Sequence, residues 1–348
     1  MESETSMKQA VLTAPYTFEL RDVPVPQIAP EQVLLRVARV GVCGSDVQMY
    51  HGRHKYMTYP VVPGHEVSAI VQQVGARVQG YSVGDKVTVE PQVFCGTCQP
   101  CAMGRFNVCE SLRVMGVHMD GFAAEFVAVD AQYLHLCPPD MDLDLIALVE
   151  PLAVGVGAVK RGNYKNANIA VIGAGTIGNL IAQSARALGA GDVLITDIMD
   201  ARLDLARRYG IEKAVNTKAV PLPDAILQAF GPKKADIIID AAATASSFSS
   251  CLAAARPSSD IIITGNYKDP MQLEVPLLQR REVNLIGHMM YVRQDFADAI
   301  AFLKDGSINA EGIITSRFAL RDVVDGFAKS VENASQQMKV VMDISEND

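Results

Sequence analysis

The run Val171-Ile172-Gly173-Ala174-Gly175-Thr176-Ile177-Gly178 leaves this stretch of chain little choice of local fold. It follows the apolar segment NIAVI and opens a helical stretch, NLIAQSARALG, closed by Gly189. Glycines at this spacing turn a strand sharply into a helix. Gly173 makes the turn, Gly175 lets the backbone approach a pyrophosphate, and Gly178 lets helix and strand pack closely. The helix N-terminus then offers unpaired N–H groups and a positive dipole end to the phosphates. The next apolar strand, VLITD, ends in Asp197, nineteen residues after Gly178. An acid there accepts hydrogen bonds from a ribose 2′-hydroxyl and repels a 2′-phosphate. The structural alternative is a βαβ unit with an exposed Asp; the expectation is a dinucleotide site for NAD rather than NADP.

The texture of the chain differs on the two sides of this motif. Before it, MKQAVLTA, VLLRVARVGV, VSAIVQQVG and DKVTVEP are β-rich runs broken by Pro and Gly, which suggests a small barrel or sandwich. After it, the helical DARLDLARRYG and the short apolar runs ADIIIDAA and SDIIITGN continue a strand–helix alternation. Fully apolar strands alternating with helices mean a parallel sheet covered on both faces. From about Leu285 onward the sequence predicts a last helix, FADAIAFLKDG, and a closing strand, MKVVMDI. With 348 residues, two domains are expected at about 150 residues each: a β-rich domain interrupted by a doubly wound α/β domain.

Charge narrows the partners. Lys+Arg 31 against Asp+Glu 39 gives a net charge of −8, and no long basic run is present. That argues against nucleic acid or an anionic membrane as the main partner. No stretch reaches the apolar length that spans a bilayer. The opening MESETSMKQA is polar and acidic, the opposite of a secretory leader. The expectation is a cytoplasmic protein.

Four of the seven cysteines crowd into Cys95, Cys98, Cys101 and Cys109, a C-x2-C-x2-C-x7-C pattern. An odd total at such short intervals is a poor disulfide framework and a good metal site. Four thiolates suit the closed tetrahedral shell of structural zinc; iron–sulfur ligation is the competitor. Cys137 and Cys251 sit in apolar contexts and read as packing residues. A second set is scattered: Cys43 in GVCGSD, His65 and Glu66 in PGHE, and Glu150 in ALVEPLAVG. Cys, His and a carboxylate are the composition of a catalytic zinc site. Glu150 in an apolar stretch is harder to dismiss than a lone His, because an unpaired buried charge is costly. Spacing alone does not join the three segments.

GVCGSD, PGHE, the four-cysteine segment, EPLAVGV and VIGAGTIG, in that order, make the chain resemble the zinc-dependent medium-chain dehydrogenases over essentially its whole length. Within that family it is similar to the polyol and sugar-acid branch of sorbitol, xylitol, galactitol-phosphate and hexonate dehydrogenases, with threonine dehydrogenase nearby. The resemblance implies an α/β protein with a GroES-like catalytic domain over residues 1–155, to which 290–348 return. It implies a Rossmann NAD-binding domain over 156–289, and an active site in the cleft between the two. Cys43, His65 and one or both of Glu66 and Glu150 would hold a catalytic zinc. Ser45 would relay the substrate proton, and Arg202 would contact the adenosine ribose. Relatives carry a relay His five residues after the zinc cysteine, where this chain has Gln48. An amide carries no proton near neutral pH, so His51 or solvent would stand in. Gly157 likewise stands where relatives commonly have His.

The implied activity is oxidation of a secondary hydroxyl of a polyol, sugar acid or sugar phosphate to a ketone with NAD. Two zinc ions per chain and a homo-oligomer, dimer or tetramer, go with it. The alternatives are a threonine-type amino-alcohol dehydrogenase and a catalytically silent NAD-binding protein. In HGRHKYMTYP, Arg53, His54 and Lys55 bring cations near the expected mouth of the site. An anionic substrate would gain charge-assisted contacts with Arg53 and Lys55; a solvated loop is the other reading.

Overall fold

The structure is a computed structural model that describes residues 6–332 and 337–345, so the acidic opening at residues 1–5 lies outside the described residues. The chain divides into two compact units, residues 1–150 with 310–348 and residues 151–309.

The first unit is built on the strand Gln32–Val42, which pairs antiparallel with Glu66–Val74, with Phe126–Asp130 and with Lys339–Asp343. These runs are rich in Val, whose branched Cβ suits a pleated, half-buried surface. Ile314–Ala319, Lys86–Val89 and Leu134–Leu136 complete a seven-stranded sheet, and Ser6–Ala14 with Thr17–Pro24 forms a separate antiparallel pair. The closing strand sets Val341 opposite Gly41, and Gly41 in turn faces Glu66. Register therefore carries a C-terminal strand to the side of the PGHE segment.

The second unit is a six-stranded, all-parallel sheet. Its order runs Lys213–Asn216, Asp192–Asp197, Asn168–Ile172, Ile237–Asp240, Asp260–Ile263, Asn284–Gly287. Counted within the unit this is 3-2-1-4-5-6, the dinucleotide-binding order. Alternate residues of the same strands feed two separate apolar clusters. Ile169, Val171, Ile195 and Ile239 belong to one, and Ala170, Ile172, Leu194 and Ile238 to the other. Both faces are thus covered, as continuous apolar strands require. The glycine-rich turn sits between Asn168–Ile172 and the helix Thr176–Ala187, at the switch point of the sheet.

Two sequence expectations are corrected. The boundaries at 155/156 and 289/290 move to 150/151 and 309/310. The helix Arg293–Lys304 stays with the second unit because Lys160 pairs with Asp295 at 2.8 Å and with Asp298. Nor is that helix the last: the strand Ile314–Ala319 and the helix Val323–Glu332 follow it. The later helix is ten residues long and carries Gly326 and two adjacent valines, which are weak helix formers. Among the described residues no helix is long and apolar enough to cross a membrane.

Close packing at the nucleotide turn yields a prediction. A Cβ on Gly178 would lie 1.7 Å from the carbonyl oxygen of Gly173. Gly178→Ala should therefore destabilise the second unit by about 1–3 kcal/mol, read as a lowered melting temperature. Gly175→Ala, whose Cβ would meet nothing within 4 Å, should leave stability within error. Equal melting temperatures for the two variants would contradict this account of the turn.

Candidate active site

Cys43 ends the strand Gln32–Val42 and precedes the short helix Gly44–Tyr50. Its main-chain N–H donates to Asp46 Oδ2 at 2.8 Å, which fixes the first turn of that helix. Asp46 is buried, and its other oxygen faces His65 Nδ1 at 3.7 Å. A carboxylate behind an imidazole is the usual device for orienting a metal-binding His through its second nitrogen. Burial opposes charge on His65, but Asp46, Cys43 and Glu150 outweigh it and hold its pKa well above the ordinary value. One ligand atom from each of Cys43, His65 and Glu66 lies within 4.8 Å of the others. The fold thus joins two segments that spacing alone could not.

Glu66 is 1% exposed, and both its oxygens accept from Lys339 Nζ, at 2.6 and 2.7 Å. The same ammonium donates to Val42 O at 3.3 Å. The carboxylate occupies the space over Gly41, where a Cβ would stand 2.0 Å from Oε2. Glu150, also buried, acts electrostatically on both His65 and Lys339. Asp46, Glu66 and Glu150 with the Cys43 thiol therefore set several potential anions around the buried Lys339 ammonium and the His65 ring. A divalent cation among these donors would compensate the buried acids, so the residue set fits a zinc ion. Sequence reading missed Lys339 and Asp46. A lysine inside the apolar run MKVVMDI was the available signal, since a buried cation demands a counter-charge.

Ser45 is half-buried in the first turn of the helix, and Gln48 is half-buried one turn on. His51 caps the end of the same helix and pairs through Nδ1 with the Tyr16 hydroxyl at 3.1 Å, edge-on to the Tyr16 ring. Arg53 and Lys55 are exposed, with His54 half-buried between them. Gly157 has a steric reason: a Cβ there would lie 2.9 Å from both His288 Cε1 and Asp295 Oδ2. An imidazole from a different segment thus fills the space beside that position.

The four-cysteine segment folds into a compact lobe. Cys95 and Cys109 sulfurs lie 3.5 Å apart, Cys98 and Cys109 3.8 Å, and Cys95 and Cys101 4.0 Å, with no disulfide among them. A tetrahedral zinc with ~2.3 Å bonds to sulfur separates its ligands by about 3.8 Å, so the lobe fits that ion. Main-chain N–H groups of Thr97 and Cys98 donate to Cys95 Sγ, and that of Cys95 to Cys109 Sγ. The Thr97 and Cys98 contacts bring the Cys95 pKa down to about 5, while burial pushes Cys101 up to about 12. A dication at the centre is what would let all four ionise together. Cys137 and Cys251 are buried, as packing residues should be.

In the second unit, Asn179 Nδ2 donates to Ala174 O at 2.6 Å and to Gly175 O at 3.2 Å, pinning the glycine turn. Gly175 sits at the start of the helix with open space over it, a cradle that suits an approaching pyrophosphate. Asp197 ends its strand buried. It accepts from the N–H groups of Ala174, Ile198 and Met199 at 2.7–2.9 Å, with Arg202 Nη1 at 3.7 Å. The acid therefore ties the glycine turn to the next strand. Asp240, buried at the end of Ile237–Asp240, was not anticipated. It accepts from Ser247 Oγ at 2.8 Å and from the Tyr267 hydroxyl, ordering the loop beside the turn.

Comparison with known proteins agrees with this geometry. Residues 29–139 match the alcohol dehydrogenase GroES-like domain, and residues 176–305 match the zinc-binding dehydrogenase model. The chain is 33% identical to 2-dehydro-3-deoxy-L-galactonate 5-dehydrogenase of Pseudoalteromonas atlantica, covering 91% of this chain and 93% of that protein. It is 28% identical to sorbitol dehydrogenase of Bacillus subtilis, over 97% of each. The structure of an alcohol dehydrogenase from Escherichia coli CFT073, complexed with NADH, superposes with a TM-score of 0.90 at 29% identity, covering 98% of this chain and 100% of that one. With both units matched and the similarity spanning nearly the whole length, this chain belongs to the zinc-dependent medium-chain dehydrogenases, in their polyol branch.

Proposed function

We propose that this protein oxidises a secondary hydroxyl of a polyol, sugar acid or sugar phosphate to a ketone, using NAD. The observation that carries the reading is the convergence of half-buried Cys43 with buried His65 and Glu66, on which buried Glu150 also acts electrostatically. Bound there, zinc would supply Lewis acidity toward a substrate hydroxyl, and the nicotinamide would accept the hydride. Cys43 and His65 hold the metal together with a carboxylate from Glu66 or Glu150, and Asp46 orients the imidazole. Ser45 takes the hydroxyl proton and passes it outward. Gly173, Gly175, Thr176, Ile177 and Gly178 form the pyrophosphate turn; Asp197 and Arg202 meet the adenosine ribose. Arg53 and Lys55, exposed on either side of His54, would meet an anionic substituent. The relatives named above act on a sugar acid and on sorbitol, which supports this substrate class. The protein is assigned to the cytoplasm. We assign it as a homo-oligomer, supported by the edge strand Asn284–Gly287 with its exposed Leu285.

The test is NADH formation across neutral polyols, aldonates, sugar phosphates and amino alcohols. Turnover should be confined to polyhydroxylated substrates, and Cys43→Ser should abolish it while NAD binding persists. Oxidation of L-threonine alone, or of nothing by zinc-loaded protein, would reject the reading.

Metal analysis should return about two zinc ions per chain. Cys109→Ser should bring that to about one and lower the melting temperature, because three thiolates close the lobe poorly. Iron with visible absorption at this lobe would overturn the zinc assignment.

Asp197→Ser should weaken NAD about tenfold and shift preference toward NADP, by removing the ribose contact and the clash with a 2′-phosphate. An unchanged ratio of the two affinities would move the ribose contact to another residue.

A further inference from the structure

Two histidines lie outside the metal cluster, one electrostatically coupled to His65 and the other on a turn packed against the residue before it. In the segment Arg53-His54-Lys55-Tyr56 the flanking side chains are exposed, and only His54 is drawn inward to half-burial. Its Nδ1 accepts from the main-chain N–H of Tyr56 at 3.4 Å, and its ring stands edge-on to the Tyr56 ring at 6.3 Å. His118 belongs to a turn that begins at Val114. The Val114 N–H donates to His118 Nδ1 at 3.0 Å, and the His118 N–H returns to Val114 O at 2.9 Å. With Nδ1 acting as acceptor in both rings, each neutral imidazole carries its proton on Nε2 and presents it as a donor.

The His118 turn is fixed against the residue that precedes the metal-binding His65. Gly121 N–H donates to Val62 O at 2.7 Å, Phe122 N–H to Pro63 O and Gly64 O at 3.1 Å, and Val62 N–H to Asp120 Oδ1 at 2.9 Å. Backbone meets backbone so closely that a Cβ on Gly116 or Gly121 would lie 2.3 or 2.2 Å from Gly64 O. His54 is coupled electrostatically to both of these histidines. Burial is the main cause that lowers its pKa, and His118 and His65 are both near enough to lower it further. Burial, and then Arg113, lower that of His118. Both rings therefore favour the neutral form. Neutral N–H donors beside a Lewis-acid centre suit hydroxyl and carboxylate oxygens on carbons adjacent to the reacting one.

We propose that His54 and His118 determine specificity by donating hydrogen bonds from Nε2–H to the substrate oxygens flanking the oxidised carbon. The assignment rests on the polyol reading of the site and names the groups that recognise the polyhydroxylated chain. It also separates recognition of neighbouring hydroxyls, by the two imidazoles, from recognition of a distant anionic group by Arg53 and Lys55.

Asparagine and glutamine variants test it. An Asn amide oxygen sits where Nδ1 does, so His54→Asn and His118→Asn keep the main-chain bond and lose the outer donor. Gln places its amide N–H near the position of Nε2. Zinc-loaded protein is assayed with NAD against sorbitol, gluconate and galactitol 1-phosphate as polyhydroxylated probes, and 2-butanol as a probe with one hydroxyl. Calorimetric titration of sorbitol onto the enzyme–NADH complex gives a readout independent of turnover, and thermal melts check folding. Each Asn variant should raise the ratio of KM for the polyhydroxylated probe to KM for 2-butanol about fivefold to tenfold. The sorbitol Kd should weaken in step, kcat should fall less than threefold, and the matching Gln variant should recover most of the loss. The proposal is overturned if the ratio and the Kd stay unchanged, if KM rises equally for all probes, or if Gln behaves as Asn does. Wild-type protein that oxidises and binds none of the polyhydroxylated probes while turning over amino alcohols would sink the polyol reading, and the assignment with it.

Discussion

The contact on which the site depends is the buried ion pair between Lys339 and Glu66. Both residues are buried, and both carboxylate oxygens accept from one ammonium. Taking two such charges out of water is costly, and their attraction repays it only with tight geometry. Removing one partner of such a pair typically costs ~3–5 kcal/mol, because the other is left buried and uncompensated. That penalty makes the register of the closing strand specific. Val341 must face Gly41, and Gly41 must lack a side chain, for the carboxylate to find its place. A strand nearly three hundred residues downstream is thus tied to the segment that presents His65.

The same pair shapes the chemistry. With Lys339 held on Glu66, Asp46 and Glu150 remain as further buried acids beside Cys43 and His65. A dication among these donors would compensate the buried acids together. Electrostatics and packing are coupled at this point: Gly41 supplies the room, the strand supplies the cation, and the charge balance follows.

The Rossmann unit was legible in the sequence because its determinants are local. A glycine spacing, an apolar strand and an acid at the end of the next strand all fall within some thirty residues, from Asn168 to Asp197. The cysteine lobe was legible for the same reason. The candidate metal cluster was not, because Cys43 lies in a separate segment from His65 and Glu66 and only a resemblance joined them. Lys339 and Asp46 escaped notice because their roles arise from cross-strand register and helix capping, which carry no motif. The helix Val323–Glu332 escaped the sequence reading although Val323, Phe327 and Ser330 share one buried face, and the meaning of Gly157 lay in His288 and Asp295, more than a hundred residues away. Long-range contacts of this kind are what a pattern of neighbours omits.

One consequence concerns how such a scaffold changes substrates. Around Gly64, Gly116 and Gly121 the backbone has no slack: a single methyl group at the latter two would collide with Gly64 O. The turn carrying His118 therefore cannot drift relative to the His65 segment without breaking several main-chain hydrogen bonds. Position is fixed by backbone, and identity is left to side chains that are only half-buried. Substitution at His54 or His118 alters which oxygens are met without moving the metal ligands. Substitution at the glycines would shift both together. The metal-binding and recognition functions are thereby separable in sequence although they are adjacent in space, which is the condition for a common reaction to be applied to different hydroxylated chains.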